Sequence, residues 1–496
     1  MVSAVDKVTL ALIAVVIYSF IVLIIGWWAK DRIENMVDYI AAGRRLGFWL
    51  TYGTITATWF CAGTVLGGAA MTYSFGVRGV IMDPIGASVC LIIFSLFFAS
   101  ILRKLRYLTI ADFFRVKYGR VMEAVSSIIQ VLAYIGWLGG LLVAYSAVFQ
   151  VLLGLTFEQG VFLGTVITVA YTFLGGMWSV TLTDFFQMLL LIAGLIVMIP
   201  YVITAAGGWE AITTQIPADA YSILPGENFE YLGYFGMIGL TYYIASWMNQ
   251  AIGSLSCQDL VQRSLAAKSE KTAKYASFVA GITYATIGMI GPLIGIWARL
   301  IITEIEDPNL IIPTLALNLL PAPLFALATV GLLALIMSSA DSALIIPPSV
   351  IVNNLLPMVR PNISEKTKLL LTRILVVISA IVSLAIALWA ATIYFLTQIA
   401  WYLILFVQAI PFIFGIYWKK ANRAGAIASV VTNVILWIPL IYYFYQQTED
   451  IWLAIYAPGP LVIPIGAIVF VITSLLTQKK DPPKPLLDID GKPIEK

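Results

Sequence analysis

The sequence contains no histidine, few charged residues and only three cysteines. Without histidine, imidazole cannot act as a general base, relay protons or bind zinc, so these chemistries are excluded. Charged residues make up 11% of the 496 residues, whereas about 25% is usual for a soluble domain. Cys61, Cys90 and Cys257 each lie in an apolar stretch, without the spacing of a disulfide framework or a metal site. The scarcity of charge argues against an ordinary soluble fold.

The sequence consists largely of long apolar runs. Hydrophobic residues make up 61% of the chain and the mean hydropathy is +0.95. The runs are long enough for α-helices to cross a bilayer, and they lack the alternation of transmembrane β-strands. The first run is too long and too acidic for a cleaved signal peptide. We predict an all-α integral membrane protein with thirteen transmembrane helices, near residues 5–29, 47–75, 80–102, 121–154, 159–175, 179–206, 231–256, 274–302, 322–350, 367–390, 394–417, 423–446 and 453–477.

The basic residues predict how the chain is oriented. All but three of the 29 lysines and arginines, the exceptions being Lys7, Arg78 and Arg299, fall in alternate connections or in the C-terminal tail. The first such connection contains Lys30, Arg32, Arg44 and Arg45, and the one after the seventh span contains Arg263, Lys268, Lys271 and Lys274. By the positive-inside rule, the N-terminus is outside and the C-terminus is cytoplasmic. The tail from Asp481, rich in proline and charge, is expected to be disordered.

Two of the predicted spans are polar in their interior. The second contains the run from Thr51 to Thr64, followed by Gly67 and Gly68, and the seventh contains the run from Trp247 to Gln258. Glycine and small hydroxyl residues at mid-membrane either free carbonyl groups for an ion or simply allow close helix packing. The two spans lie five apart, as an inverted repeat of spans two to six and seven to eleven requires. The pattern favours a transporter with two broken helices.

The ninth span carries a cluster of oxygen-bearing side chains. Ser338, Ser339, Asp341 and Ser342 lie within an apolar run from Leu324 to Ile346. At helical spacing, Ser338 shares a face with Asp341 and Ser342, and Ser339 aligns with Ser342. A carboxylate in such a run costs free energy unless it meets a cation, a proton or a partner. The cluster is therefore a candidate cation site.

Five stretches in register are similar to the sodium:solute symporter family. They are Ala42–Gly47, Tyr171–Gln187, Gln262–Lys268, Ser338–Ser342 and Gly415–Ala426. The resemblance implies a LeuT-type fold with a five-plus-five inverted repeat, and coupled uptake of sodium and a small organic solute by alternating access. Residues 1–478 would form one transporter domain, with an extra N-terminal helix at 5–29, repeats at 47–206 and 231–418, two C-terminal helices within 423–477, and a cytoplasmic tail at 479–496.

The resemblance also implies where sodium binds. The ligands of the main site would be the carbonyl groups of Ala57, Phe60 and Leu335 and the hydroxyl groups of Ser338 and Ser339. The alternative is that both serines only bond the backbone of their own helix.

A second cation site is implied for some members of the family. Here it would use Asp184, Asp341 and Ser342, which could hold a second sodium or share a proton. The alternative is that Asp184 caps the sixth helix, where the helix dipole favours an acid.

The resemblance places the solute between the two helix breaks. The candidate residues are Trp59, Thr64, Asp83, Trp137, Gln250, Gly253, Cys257, Gln398 and Trp401. Sugar-transporting relatives have a pocket carboxylate at the position of Asp83. Trp59, Trp137 and Trp401 resemble the aromatic cage of the choline-transporting branch. This sequence has Cys257 at the position where that cage has a tryptophan in the seventh span. Alternatively, Trp137 and Trp401 anchor the protein at the membrane interface.

We expect the solute to be nitrogenous, an amino acid, an amine or a quaternary ammonium, because a carboxylate beside indole rings suits a cation. A symporter for a sugar or a carboxylate is the alternative, and an ion channel or a membrane solute sensor is the alternative class. We expect no enzymatic activity, since the sequence has no Walker loop and no paired acidic metal motif. The expected partners are sodium, the solute and the lipid bilayer of the plasma membrane, with no nucleic acid. The chain is expected to be a monomer or a weak oligomer.

Overall fold

The computed structural model describes residues 4–29, 36–172 and 177–494. Three residues used to predict orientation, Lys30, Arg32 and Lys496, lie outside the described residues, as does the segment 173–176 within the motif from 171 to 187. The first half of the chain forms α1 (Ala4–Ala29), α2 (Met36–Ala41), α3 (Phe48–Trp59), α4 (Gly68–Phe75), α5 (Ala87–Ile93), α6 (Ala99–Leu105), α7 (Ile110–Tyr118), α8 (Arg120–Leu153), α9 (Phe157–Thr172), α10 (Met177–Ala205) and α11 (Gly208–Gln215).

The second half continues as helices of similar length. They are α12 (Gly236–Gly253), α13 (Gln258–Ala266), α14 (Glu270–Thr286), α15 (Ile290–Ala298), α16 (Ile311–Leu319), α17 (Ala322–Val350), α18 (Leu356–Val359), α19 (Glu365–Ala390), α20 (Tyr394–Ile404), α21 (Ile410–Tyr417), α22 (Arg423–Thr448), α23 (Ile451–Tyr456) and α24 (Gly459–Thr477). Single π-helical turns at Gly63–Gly67, Ile81–Gly86, Phe94–Phe98, Ile351–Leu355 and Leu405–Ala409 interrupt or join several of them.

The helices account for most of the predicted membrane spans. In the described part of the chain, ten helical segments are long and apolar enough to cross a membrane, and the bent pair Phe48–Trp59 and Gly63–Phe75 makes an eleventh. The predicted fifth span corresponds to α9, which has only 16 described residues. The predicted seventh span corresponds to the broken pair α12 and α13. Neither is both long and apolar enough to pass as a span, so the number thirteen stays a prediction.

Helix α17 lies at the centre of the molecule. In its membrane-spanning stretch 83% of the residues are buried, against 17% in α1 at the periphery. It packs against α10, α8 and α1, and its polar segment contacts α3. A carboxylate and three serines on a central helix face protein rather than lipid, which is where polar side chains within a membrane are tolerated.

Both predicted interruptions are present. Helix α3 ends at Trp59, Phe60 has a non-helical ψ of 72°, and the chain resumes at a bend of 50°. Helix α12 ends at Gly253 and is followed by a 3-10 turn, an extended Cys257 and then α13. A Cβ atom at Gly253 would lie 2.5 Å from the Trp401 carbonyl oxygen, so glycine allows the second break to pack directly on α20.

Contacts between distant segments join the chain at each end of the bundle. Next to the start of α3, the Leu46 amide donates to the Ala266 carbonyl oxygen at 3.1 Å, and the Lys268 amide donates to the Leu46 carbonyl oxygen at 2.8 Å. These bonds join the chain before α3 to the end of α13, at the end of the bundle that carries Arg44 and Arg103. At the opposite end, Arg78 pairs with Asp219 at 2.6 Å and with Glu230 at 2.5 Å.

The C-terminal tail is folded against the bundle, contrary to the predicted disorder. The Asp481 carboxylate accepts a hydrogen bond from the Ala424 amide at 2.7 Å, at the start of α22. Further on, the Ile489 amide donates to the Leu105 carbonyl oxygen at 3.0 Å. Proline and charge in the tail predict disorder because they reduce apolar burial. They cannot reveal that the backbone groups of neighbouring connections offer the tail hydrogen bonds.

Replacing Asp481 by alanine should release the tail. The substitution removes a charge-assisted hydrogen bond to the first turn of α22, which contributes about 1 to 2 kcal/mol. We expect chymotrypsin to cleave after Leu486 and Leu487 about tenfold faster in the purified variant, because local opening of the tail becomes more frequent. The control is Asp490→Asn, which removes only an exposed ion pair with Arg106. Equally fast cleavage of the wild type and Asp481→Ala would show that the tail is not held.

Candidate functional site

The first break of the chain faces the two serines of α17. The Ser338 hydroxyl donates to the Ala57 carbonyl oxygen at 2.9 Å, and the Ser339 hydroxyl donates to the Thr58 carbonyl oxygen at 2.9 Å. The same hydroxyls also approach the Leu335 carbonyl oxygen of their own helix, at 3.1 and 3.4 Å. The serines therefore bridge α17 to the last turn of α3 and do not bond only their own helix.

This arrangement can bind a cation that favours oxygen ligands. All of these groups are at most 1% exposed. A hydroxyl can rotate its hydrogen away and present a lone pair, so carbonyl and hydroxyl oxygens together can replace a hydration shell without adding charge. Phe60, the remaining predicted ligand, is the residue at which α3 ends. Thr58 was not predicted, because only the positions matched through the resemblance were considered.

Asp184 lies in the interior of α10 and reaches α3. One carboxylate oxygen accepts hydrogen bonds from the hydroxyls of Thr54 at 2.5 Å and Thr58 at 3.4 Å. The other oxygen is buried without a hydrogen-bond partner. Since α10 already includes Met177, two turns earlier, Asp184 does not cap the helix. Its carboxylate instead faces the polar cluster of α3 and α17.

Arg263 connects four helices at this point. Its guanidinium contacts Asp184 at 3.4 Å and donates to the Ser342 hydroxyl at 2.7 Å and to the Thr54 backbone carbonyl at 3.1 Å. It is only 1% exposed. The sequence placed Arg263 in a connection after the seventh span, but α13 continues past the break and buries it. The broken seventh span is thus longer than its apolar part.

Asp341 completes the buried charges of the cluster. It accepts a hydrogen bond from the Ser342 hydroxyl at 3.1 Å and is 2% exposed. Asp341, Asp184 and Arg263 together carry two acidic groups and one fixed positive charge. If both acids are ionised, one negative charge is unbalanced in a region where ions are poorly solvated, which a further cation or a proton would neutralise.

Asp83 lies on the other side of the first break. Its carboxylate accepts hydrogen bonds from Thr64 at 2.9 Å, Tyr284 at 3.0 Å and Gln398 at 3.3 Å. The Tyr284 hydroxyl also donates to the Trp59 carbonyl oxygen at the break. Asp83, Thr64 and Gln398 are thus brought together as predicted, while Tyr284 was not predicted.

The three predicted tryptophans form one aromatic cluster. Trp59 stacks on Trp401 with ring centroids 6.4 Å apart, and Trp137 lies 5.3 Å from Trp401. Tyr134 packs edge-on against Trp401 at 6.0 Å. Trp137 and Trp401 are 1% and 4% exposed, so they do not anchor the protein at the membrane interface. Stacked indole rings between two helix breaks form an environment that suits a cationic solute.

The remaining predicted residues surround the second break. Gln250 is buried and its side-chain oxygen has no hydrogen-bond partner. Gly253 packs on the Trp401 backbone, and Cys257 is fully buried at the break itself. Asp259, two residues further, accepts a hydrogen bond from the Trp59 indole at 2.6 Å. Asp259 was missed because the predicted seventh span ended before it. The spacing of four residues between Asp259 and Arg263 could have indicated that a helix continues past the break.

A family model described as the sodium:solute symporter family matches residues 39–432. The chain is similar to the high-affinity choline transporter 1 of Caenorhabditis elegans, with 27% identity over 86% of this chain and 77% of the relative. It is 26% identical to the human high affinity choline transporter 1, over 89% of this chain and 80% of the relative. It is also 26% identical to the sodium/proline symporter of Staphylococcus aureus (strain JH9), over 94% of this chain and 93% of the relative.

Solved structures share the fold. A Na+-coupled sialic acid symporter in a substrate-bound outward-open state superposes with a TM-score of 0.77 at 18% identity, covering 96% of this chain and 99% of the other. MhsT in complex with L-phenylalanine superposes with a TM-score of 0.52 at 14% identity, covering 87% and 98%. These similarities establish the LeuT-type fold. Because the family model matches most of the chain, the protein belongs to the sodium:solute symporter family and is a sodium-coupled symporter for small solutes.

Proposed function

We propose that this symporter imports a nitrogenous solute, an amino acid, an amine or a quaternary ammonium, across the plasma membrane by alternating access. The observation that carries the sodium-coupling step is the contact of Ser338 and Ser339 with the carbonyl groups at the end of α3. The nitrogenous solute is supported by buried acids beside stacked indole rings. It is further supported by the names of the relatives, which are transporters of choline and of proline.

The proposed main sodium site uses the carbonyl groups of Ala57, Phe60 and Leu335 and the hydroxyl groups of Ser338 and Ser339. Two of the three carbonyls already accept hydrogen bonds from these hydroxyls. Sodium would replace the hydroxyl hydrogens as the link between α3 and α17. Binding would therefore fix the break of α3 in place, which couples the ion to the position of the neighbouring solute site.

A second cation is proposed between Asp184, Asp341 and Ser342. The unpartnered oxygen of Asp184 supports it, as does the unbalanced charge of two acids against Arg263. A proton on Asp341 would neutralise the same charge, so the two possibilities remain alternatives. Replacing either acid by its amide separates them: loss of one transported sodium supports the cation, and unchanged sodium stoichiometry supports the proton.

The solute is proposed to bind among Trp59, Thr64, Asp83, Trp137, Gln250, Gly253, Cys257, Gln398 and Trp401. These residues come from α3, α8, α12, α20 and the segments joined to them, which is the region between the two breaks. All of them are buried, and contacts between distant segments join the chain at each end of the bundle. Alternate opening of the two ends would therefore expose these residues first to one side of the membrane and then to the other. We propose that the basic end is cytoplasmic and that the N-terminus is outside.

The proposal is tested by uptake into proteoliposomes. Radiolabelled L-proline, choline, D-glucose and succinate are each offered with an inward sodium gradient and, in parallel, with potassium only. We expect a nitrogenous probe to accumulate only when the sodium gradient is present. An inside-negative potential should increase this uptake, since each positive charge that enters contributes about 2.3 kcal/mol of driving free energy per 100 mV. Uptake of the same size under potassium would contradict sodium coupling, and accumulation of only glucose or succinate would contradict the nitrogenous solute.

A further inference from the structure

Asp259 is a buried acid that the proposed sodium and solute sites leave unused. It is the second residue of α13, directly after the break at Cys257, and is 0% exposed. One carboxylate oxygen accepts the hydrogen bond from the Trp59 indole at 2.6 Å, and the other accepts one from the Tyr134 hydroxyl. The Asp259 amide in turn donates to the Tyr134 hydroxyl oxygen at 2.8 Å. These contacts hold the carboxylate in one orientation.

The hydrogen bonds to the Asp259 carboxylate come from neutral groups. Arg263, one turn further along α13, donates to the Asp259 backbone carbonyl at 3.2 Å, whereas its charge is directed at Asp184 and Ser342. Within the described residues, no lysine or arginine forms an ion pair with Asp259. A buried carboxylate without a cation is costly, and a positively charged ligand would remove that cost.

The two side chains that bond Asp259 belong to the aromatic cluster. Trp59 and Tyr134 each pack against Trp401, at 6.4 and 6.0 Å between ring centroids. Tyr134 also lies 5.6 Å from Trp137. A carboxylate bonded to two members of this aromatic cluster combines charge attraction with cation–π attraction at one place. That combination selects an organic cation.

Unpartnered polar atoms on α12, the helix before the second break, indicate which kind of cation. The side-chain oxygens of Asn249 and Gln250 are buried without a hydrogen-bond donor. Gln250 lies one turn before Gly253, which packs against Trp401, so the two share a helix face toward the aromatic cluster. Buried acceptors are costly when unpaired, and the N–H or O–H groups of a ligand would satisfy them. A quaternary ammonium has no N–H group, whereas primary and secondary ammonium groups do.

We propose that Asp259 is the counter-ion of a substrate ammonium group that carries at least one N–H, and that it sets the specificity of the site. The inference rests on the proposed import of a nitrogenous solute and deepens it. The Trp137 indole N–H, which is also buried without a partner, then suits a carboxylate of the same substrate. An amino acid or imino acid satisfies both requirements. Asp83 is tied to the first break, because Tyr284, one of the three side chains that donate to its carboxylate, also bonds the Trp59 carbonyl oxygen there.

The experiment compares probes that differ only in N-methylation. Binding to the purified full-length protein is measured by thermal shift, with and without sodium, for L-proline and proline betaine, glycine and glycine betaine, and ethanolamine and choline. We expect an N–H probe to stabilise the wild type in sodium, and its fully methylated partner to bind at least about tenfold more weakly. Equal or tighter binding of the methylated partner would overturn the proposal, and the wild type alone suffices for this comparison.

Variants identify the acid. Asp259→Asn is expected to weaken the N–H probe by about 100-fold, since it removes one partner of a buried charge pair. Asp83→Asn should weaken it less, and Asp490→Asn in the exposed tail should not change it. Stabilisation by sodium alone must persist in Asp259→Asn, which shows that the variant is folded. Unchanged probe affinity in that variant, or a larger loss in Asp83→Asn, would refute the role of Asp259.

Other outcomes bear on the proposed function itself. Stabilisation of the wild type only by D-glucose or succinate would refute the nitrogenous solute, and no effect of sodium on the wild type would refute the sodium site.

Discussion

Replacing Ser338 and Ser339 together by alanine is expected to abolish sodium-driven uptake. Each hydroxyl that binds a charged ligand contributes about 1.5 to 3 kcal/mol, so each single substitution should raise the half-saturating sodium concentration by about 10- to 100-fold. Both residues are on a buried helix face in contact with the end of α3. Alanine favours helix and leaves only a small space, so α17 should persist. The measurement is the initial rate of uptake in proteoliposomes as a function of external sodium.

The matched control is Ser349→Ala in the same helix. The Ser349 hydroxyl is also buried but has no hydrogen-bond partner, and it lies about three turns beyond the site. Its removal should leave the sodium dependence unchanged. If the two alanine variants at the site showed the sodium dependence of the wild type, sodium would have to bind without these hydroxyls and the proposed main site would be wrong.

Replacing Arg263 by glutamine is expected to destabilise the protein strongly. Arg263 and Asp184 are 1% and 0% exposed at their side chains, and loss of one partner of a buried ion pair typically costs about 3 to 5 kcal/mol. Here the loss also leaves Asp341 without a nearby positive charge. We expect thermal unfolding of the detergent-solubilised variant at a clearly lower temperature. Asp184→Asn should destabilise less, because Arg263 keeps its bonds to Ser342 and the α3 backbone.

The double variant tests whether the pair acts as a unit. Arg263→Gln with Asp184→Asn removes both charges, so the combined loss should be smaller than the sum of the single losses. Glu365→Gln is the control, since it removes an exposed ion pair with Lys368 and should change stability by less than about 0.5 kcal/mol. Purely additive effects of the two buried substitutions would mean that the ion pair does not contribute to stability.

The contact between α3 and α17 at the proposed main sodium site was accessible to sequence reasoning, because the sequence signals for it are local. Hydroxyl residues and glycines inside an otherwise apolar span conflict with continuous helical bonding, and the break at Phe60 appears where that conflict is densest. Ser338 and Ser339 stand out against the apolar residues around them, and their match with the family pattern adds the ligand set. The contact with the carbonyl groups of α3 then follows from the central position of α17.

The residues that were missed depend on contacts between distant segments. Arg263 was placed in a connection because basic residues after an apolar run usually lie at the membrane surface. Its burial requires that α13 continue beyond the break and meet Asp184, which is 79 residues away. Asp259 and Tyr134, separated by 125 residues, are likewise joined only in the folded chain. The docked tail belongs to the same class, because composition does not show which backbone groups are free to receive it.

The hydrogen bonds from Ser338 and Ser339 to α3 have a consequence for how ion occupancy is observed. The hydroxyl hydrogens of Ser338 and Ser339 hold the two helices together at 2.9 Å between oxygen atoms. The spacing of α3 and α17 would therefore be a weak indicator of whether sodium is bound at the proposed site, because the Ala57 carbonyl and both serine hydroxyls would join the two helices in either case. What changes is the direction in which two hydroxyl groups point, a rotation that density maps without visible hydrogens do not record.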